Sequence, residues 1–199
     1  MGKRGKKAEF EDKWPLFEKF LGWLRYIKIR KYIHMSPKPV CVDIGCGFNG
    51  RFLRSISKQI KRGYGIDIRA NDAVYGNVRI VNNSKVGGRI PIADGKVDRV
   101  FMLAVLEHLD ADSPLVEEGS RILKKGGLFV LTTPTPFAKP ILEFLSFKLH
   151  LISVESIAEH KHYWTERELK KKFSSCGLEV VVYRKFQCGC NELIVGRKP

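Results

Sequence analysis

The stretch Val40-Cys41-Val42-Asp43-Ile44-Gly45-Cys46-Gly47-Phe48-Asn49-Gly50-Arg51-Phe52-Leu53 leaves this chain few ways to fold. A short apolar run ends in an acid, breaks at closely spaced glycines and resumes with helical spacing at Phe52, Leu53, Ile56 and Ile60. A brief apolar run bounded by turn residues fits a strand buried on both faces, and the recurrence after it fits a helix packed back on the sheet. Glycine suits the bend between them, because it tolerates unusual backbone angles and lets a ligand approach the main chain. Gly45, Gly47 and Gly50 spell G-x-G-x-x-G, a nucleotide-binding pattern that gains meaning only from its surroundings.

Two acids supply those surroundings. Gly63-Tyr64-Gly65-Ile66-Asp67-Ile68 reads as the next strand, and Asp67 lies 22 residues beyond Gly45. An acid at that distance and at a strand end is placed to accept hydrogen bonds from ribose hydroxyls. Asp43, two residues before the first glycine, would repel a pyrophosphate and attract a ligand carrying an ammonium and a sulfonium. The turn therefore favours a cationic adenosyl ligand over a dinucleotide.

Val42-Asp43-Ile44-Gly45-Cys46-Gly47 followed by Gly65-Ile66-Asp67 resembles the class I S-adenosylmethionine-dependent methyltransferases, in particular the small-molecule, methyltransferase-11-like group. Asn49 stands where that family places its third glycine and Gly50 follows one place late, which reads as a slightly longer turn. The resemblance implies an α/β fold, a Rossmann-like three-layer sandwich whose seven-stranded, mostly parallel sheet ends in a C-terminal antiparallel hairpin. It implies S-adenosyl-L-methionine as cofactor, held by Asp43, Gly45, Cys46, Gly47, Asp67 and Ile68. An amide after the following strand, Asn82 or Asn83, with Asn83 preferred, is expected to reach the adenine. The block Val97 to Leu103, then Ala104-Val105-Leu106-Glu107-His108-Leu109, resembles the family's fourth strand and its exit. By that resemblance Leu103 and Ala104 flank the cofactor near its sulfonium, and His108 sits at the pocket mouth. The methyl group is already activated, so alignment supplies much of the rate. Where the acceptor must lose a proton, His108 and His162 are the candidate bases.

The remaining chain divides into residues 1–37, a basic tail with an amphipathic helical segment, and residues 38–199, the methyltransferase-like domain. Phe10, Trp14, Phe17, Leu21 and Leu24 recur at three and four residues, predicting helix from Phe10 to about Ile33, stopped by Ser36-Pro37-Lys38-Pro39. That helix either lies over the core or, with Lys19, Arg25, Lys28, Arg30 and Lys31, rests on a membrane surface. A helix is expected over Leu115–Leu123, closed by Lys124-Lys125-Gly126-Gly127, then a strand over Leu128–Thr133. Residues 137–164 form an apolar insertion on the substrate side, with helical spacing at Ile141, Leu142, Leu145, Leu149 and Ile152. Thr165 and Glu168 match a capping box, and Leu178–Lys185 with Asn191–Gly196 read as a hairpin.

The net charge of +15 is concentrated at the ends, with 11 basic and 4 acidic side chains in residues 1–39 and 9 and 4 in residues 161–199. Such ends attract nucleic acid or an anionic membrane, or simply aid solubility. No apolar secretory core follows the basic start, and five cysteines in no disulfide pattern suit a reducing cytoplasm, with peripheral contact at the inner membrane surface as a further expectation. No metal is expected: Cys188-Gly189-Cys190 lacks a second cysteine pair, and His160 and His162 show no further ligands in the sequence. The reading is a methyltransferase acting on a small or amphiphilic metabolite such as a lipid, quinone or glycan intermediate. RNA methylation, with nucleic acid as partner, ranks second. A cofactor-binding or membrane-surface protein without turnover ranks third.

Overall fold

A computed structural model describes residues 16–84, 88–149 and 151–199. Strand β1 (Val40–Ile44) lies in the middle of the sheet, and Cys41, Val42, Asp43 and Ile44 are all buried, as expected of a strand covered on both faces. On either side it pairs in parallel with β2 (Arg62–Asp67) and β5 (Val97–Leu103), which sets Asp43 level with Gly65 and Phe101. The other strands are β3 (Ala73–Tyr75), β4 (Val78–Asn82), β6 (Leu123–Pro134), β7 (Glu179–Phe186) and β8 (Asn191–Arg197). The spatial order is β3-β4-β2-β1-β5-β6-β8-β7. Strands β4 to β6 in that order are parallel, whereas β8 runs antiparallel to β6 and closes the predicted hairpin with β7.

The sheet has eight strands rather than the expected seven. The extra one, β3, pairs antiparallel to β4 through the Gly76-Asn77 turn, where Gly76 has φ +60°. Asn77 anchors this turn by donating Nδ2 hydrogen bonds of 2.9 Å to the Ser57 and Ile60 carbonyls. A glycine–asparagine pair between short β-prone runs is a hairpin signal, but three residues are too few for alternation to be read.

Alternation along the central strands divides the core. Val42, Ile44, Val100, Met102, Phe129 and Leu131 face one layer; Cys41, Phe101 and Val130 face the other. The first layer is closed by helix α3 (Leu115–Ile122), through Val116 and Ile122, and by the C-terminal helix α6 (Glu166–Ser175), through Leu169 and Phe173. The second is closed by α1 (Leu16–Ile29), α2 (Arg51–Ser55) and the short helical turns that follow each, through Ile29, Ile33, Leu53 and Ile56. Helices α4 (Ala138–Glu143) and α5 (Val154–Ala158) lie in the insertion, with a π-helical turn over Phe144–Lys148 between them.

Helix α1 packs on the sheet at its C-terminal end, where Ile29 and Ile33 are fully buried and Arg99 Nε donates to the Tyr32 carbonyl at 2.9 Å. Phe20 and Trp23, stacked at 6.0 Å, face outward instead. The predicted residues 10–15 of this helix, and the tail before them, lie outside the described residues.

The helix expected to run to Leu123 ends one residue earlier, and the strand expected from Leu128 already begins at Leu123. Leu123 pairs with Val97, and Lys124 Nζ donates to Asp98 Oδ1 at 2.8 Å while Asp98 Oδ2 accepts from the Val40 main chain. Those pairings draw the lysine-glycine segment into the sheet against its local preference for a helix end.

Candidate active site

The site lies where β1, β2, β4 and β5 end. Gly45 and Cys46 donate main-chain hydrogen bonds of 2.7 and 3.3 Å to the Ile66 carbonyl, tying the turn after β1 to the end of β2. Gly45 has φ +77°, and a Cβ there would collide with the Val105 side chain. Only glycine leaves that wall open. Gly50, the residue displaced from the family's pattern, has φ +60° and caps α2, and a Cβ on it would strike Ile80.

Asp67 stands at the tip of β2 with both oxygens fixed by main-chain donors, Oδ2 by Gly47 N–H at 2.9 Å and Oδ1 by Arg69 N–H at 2.7 Å. Each oxygen retains acceptor capacity for a diol. Next to it Ile68 is 66% exposed, an unusual setting for isoleucine that suits stacking against a flat ring. Asn83 is buried, its main chain donates to the Asp67 carbonyl at 3.1 Å, and its Oδ1 has no partner among the described residues. Asn82, the other amide considered, is committed to structure: Nδ2 serves the Ile68 and Ala70 carbonyls, and Oδ1 accepts from Ser84.

Asp43 is 3% exposed, and burial, with Asp67 nearby, pushes its carboxyl well above the usual range. A carboxylate so placed gains from a cationic ligand. A diol acceptor, an unpartnered amide, an exposed apolar side chain and a buried acid lie around one glycine turn, and together they fit an adenosyl group with an amino-acid tail.

The acceptor side begins at Ala104, which has φ +56°, a left-handed conformation costly for a residue with a Cβ and concentrated at functional sites. Its main chain donates to the Thr132 carbonyl at 2.9 Å, which holds the bend at the end of β5. The bend directs the turn Leu106–His108 across the strand ends. Glu107 is 2% exposed, accepts from Thr133 Oγ1 at 3.0 Å, and is raised by burial to about 7. Burial holds the His108 ring below the usual imidazole range; its Nδ1, shut off from solvent, has no partner among the described residues.

The fold brings His160 to His108, with ring centroids 4.8 Å apart, and His160 Nδ1 lies 2.9 Å from the Tyr163 hydroxyl. Burial and the His108 ring lower His160 to about 4, and burial raises Tyr163 to about 12. His162, the second candidate base, is engaged elsewhere: Nε2 lies 3.4 Å from Glu168 Oε1 and the ring packs on Trp164 at 4.8 Å. Its neighbours Thr165 and Glu168 form the predicted capping box of α6. Two residues apart in sequence, His160 and His162 keep different company: the first meets His108 and Tyr163, the second Trp164 and Glu168. Glu107 and Arg25 carried no sequence signal as site residues. Arg25 is half-buried on α1, acts electrostatically on Glu107, and its Nε has no partner among the described residues.

A central strand order with a carboxylate-tipped β2 beside a glycine turn is similar to the arrangement of class I S-adenosylmethionine-dependent methyltransferases, and comparison with known proteins points the same way. The family model described as "Methyltransferase domain" matches residues 42–131, just under half of the chain, a stretch that takes in the glycine turn, Asp67 and the exit of β5. A sterol 4-C-methyltransferase, strm-1 of Caenorhabditis elegans, is 27% identical over 112 residues. That match covers 52% of this chain and 33% of the relative, so the chain spans about a third of that protein's length.

Among solved structures, an S-adenosylmethionine-dependent methyltransferase from Thermotoga maritima shares the fold with a TM-score of 0.68 at 18% identity, covering 98% of this chain and 97% of the other. A chain of the complex between the Haloferax volcanii Trm112 methyltransferase activator and its methyltransferase gives 0.65 at 19% identity, over 94% and 95%. Geranyl diphosphate C-methyltransferase of Streptomyces coelicolor, solved with Mg2+, geranyl diphosphate and S-adenosyl-L-homocysteine, gives 0.64 at 16%, over 88% and 78%. At these identities the structural likeness establishes the fold.

Proposed function

We propose that this protein transfers the methyl group of S-adenosylmethionine to a small or amphiphilic acceptor, a lipid-, quinone- or glycan-like molecule. The observation that carries this reading is the setting of His108. Its Nδ1 is shielded from water and without a partner among the described residues, burial favours the neutral ring, and the residue stands four positions beyond the strained Ala104. The cofactor supplies an activated methyl group. Asp67 and Asn83 orient its nucleoside, Asp43 faces its ammonium, and Leu103 with Ala104 bounds the reacting end. His108 accepts a proton from the acceptor where one must leave.

An amphiphilic acceptor is supported by the apolar surface beside this mouth. Phe137, Phe144, Phe147, Leu149 and Leu151 of the insertion are exposed, as are Phe20 and Trp23 of α1. The turn between β7 and β8 links the two groups. Gln187 Nε2 donates to the Leu21 carbonyl at 2.9 Å, and Gly189 lies beside Phe137. In this reading residues 1–37 are a basic appendage to a domain over 38–199, and residues 137–164 shape the acceptor entrance. Contact with an anionic membrane through Lys19, Lys28, Lys139 and Lys148 would deliver such an acceptor. No helix among the described residues is long and apolar enough to cross a membrane. The sterol and geranyl acceptors named for two of the similar proteins agree with this class.

Incubation with labelled S-adenosylmethionine and a fractionated cell extract tests the proposal. Label is expected in the organic-soluble fraction and is lost in Asp67→Ala. Label confined to RNA would replace this reading with the nucleic-acid one. Tight cofactor binding with no label in any fraction would show a protein without turnover.

A further inference from the structure

Two adjacent donors and a third that the sequence keeps 52 residues away converge at the acceptor side. A ligand atom of Glu107, one of His108 and one of His160 lie within 4.8 Å of one another. Residues 107 and 108 leave the strand end through the left-handed bend at Ala104, and His160 arrives just before α6. Lys161 and His162 donate main-chain hydrogen bonds of 2.8 and 3.3 Å to the Glu107 carbonyl, which clamps the two segments together.

We propose that Glu107, His108 and His160 bind one divalent first-row transition metal ion, whose open positions take oxygen atoms of the methyl acceptor. With the ion bound, the His108 lone pair ligates it and is no longer the base, and the metal acidifies the acceptor oxygen instead. The proposal rests on the methyltransferase reading only for the identity of that acceptor; the metal site stands on its own geometry.

Each imidazole is held as a metal ligand is held. A ligating histidine engages its second ring nitrogen with a carbonyl, carboxylate or similar partner, which fixes the tautomer and aims the lone pair. The His108 ring has a main-chain hydrogen bond to Glu159, and Nδ1 is left shielded and without a partner among the described residues. His160 has Nδ1 on the Tyr163 hydroxyl, which leaves Nε2 for the metal. Glu107 contributes a carboxylate that is 98% buried, yet the described residues give it no direct ion pair and one side-chain hydrogen-bond donor, Thr133. A buried carboxyl keeps its proton unless a cation compensates its charge. Arg25 acts on it from longer range, and Arg69 and Glu159 act on His108 with opposite signs, so among the described residues no cationic side chain pairs directly with the Glu107 carboxylate.

The donor set defines the metal class. Two imidazoles and one carboxylate with open positions suit zinc, cobalt, manganese or iron, whereas magnesium prefers oxygen donors and water. Bonds of about 2.0–2.2 Å in a tetrahedral site put ligand atoms about 3.4 Å apart, so side-chain rotations of roughly an ångström close the cluster around an ion. Sequence spacing conceals this site, because it sets His160 beside His162 while the fold sets it against residues 107 and 108.

Cobalt(II) is the probe. The chelator-treated protein is titrated with CoCl2 and followed by visible absorption, with zinc as competitor. One cobalt per chain is expected, with a nitrogen–oxygen spectrum free of thiolate charge-transfer bands. His160→Ala and Glu107→Gln each weaken it at least tenfold, while Cys188→Ser/Cys190→Ser leaves it unchanged. Thermal melts establish that the variants are folded, and calorimetry with S-adenosylhomocysteine shows an unchanged cofactor affinity in His160→Ala. Cobalt binding that survives His160→Ala and Glu107→Gln, depends on the two cysteines, or is undetectable at millimolar metal overturns the site. Loss of homocysteine-ligand binding in the wild-type protein, with cobalt still bound, would refute the cofactor reading and leave the metal site standing.

Discussion

Asp67→Asn removes one charge and almost no volume from the tip of β2. In the wild-type chain each carboxylate oxygen already accepts one main-chain hydrogen bond, at 2.9 Å from Gly47 and 2.7 Å from Arg69. An asparagine presents one oxygen and one NH2 group to those two N–H donors, so one of the bonds becomes a donor facing a donor. The turn therefore loses a hydrogen bond of the charged kind, worth ~1.5–3 kcal/mol. A ribose diol would lose a second on the same scale, since only one of its hydroxyls can still find an acceptor. The first loss falls on the free and the bound protein alike and weakens the turn, so the ribose bond sets the binding effect at ~1.5–3 kcal/mol, or a dissociation constant raised by roughly 10- to 10²-fold. Asp67→Ala, which removes both acceptors, falls at the upper end. Isothermal titration with S-adenosylhomocysteine measures the loss, and circular dichroism confirms that the folded chain is being titrated. An Asp67→Asn affinity within threefold of wild type would refute the placement of the ribose.

Gly45→Ala meets both a left-handed backbone and the Val105 side chain. The backbone alone costs ~1–2 kcal/mol, and cofactor affinity falls with it; adding Val105→Ala relieves the clash and leaves the backbone share, which urea melts of both variants resolve. Ile29→Ala and Ile33→Ala each destabilise by ~2–4 kcal/mol, because both side chains are fully buried under α1; wild-type melts for both would show that α1 does not pack on the sheet. Glu107 gives a pH signature in metal-free buffer. Its carboxyl is near 4.5 when unfolded and about 7 when folded, so the native state holds the extra proton between those values and stability falls as pH rises through them. The loss is ~3 kcal/mol, and Glu107→Gln is expected to flatten it; equal slopes for the two proteins from pH 5 to 8 would refute the assignment.

The parts legible in the sequence were those governed by local chemistry. The apolar run into Asp43, the glycines and Asp67 mark a strand, a turn and a strand tip within 28 residues, and the fold brings them together. Thr165 and Glu168 announce a capping box because its two hydrogen bonds span three residues. What escaped depends on pairing across distance. Strand β3 is held by β4 rather than by its own pattern, and the lysine-glycine segment after α3 joins β6 because Val97 and Asp98 lie opposite it. The acceptor side was half visible for the same reason. His108 stood out beside its strand, whereas nothing in the sequence marked Glu107, whose burial depends on Thr133 of a distant strand and on residues 161 and 162.

The two margins of the sheet carry a consequence for how the molecule behaves among its own copies. Among the described residues the sheet ends on one side in the three-residue β3, and on the other in β7, whose register slips between Val180 and Val182. A strand that short offers few free amide and carbonyl groups, and a bulged one twists them out of line. Exposed Arg184 and Lys185 add repulsion along the second margin. A broad, largely apolar sheet is thereby kept from recruiting a neighbouring molecule edge to edge, and its reactive rim at the strand ends stays free for small visitors.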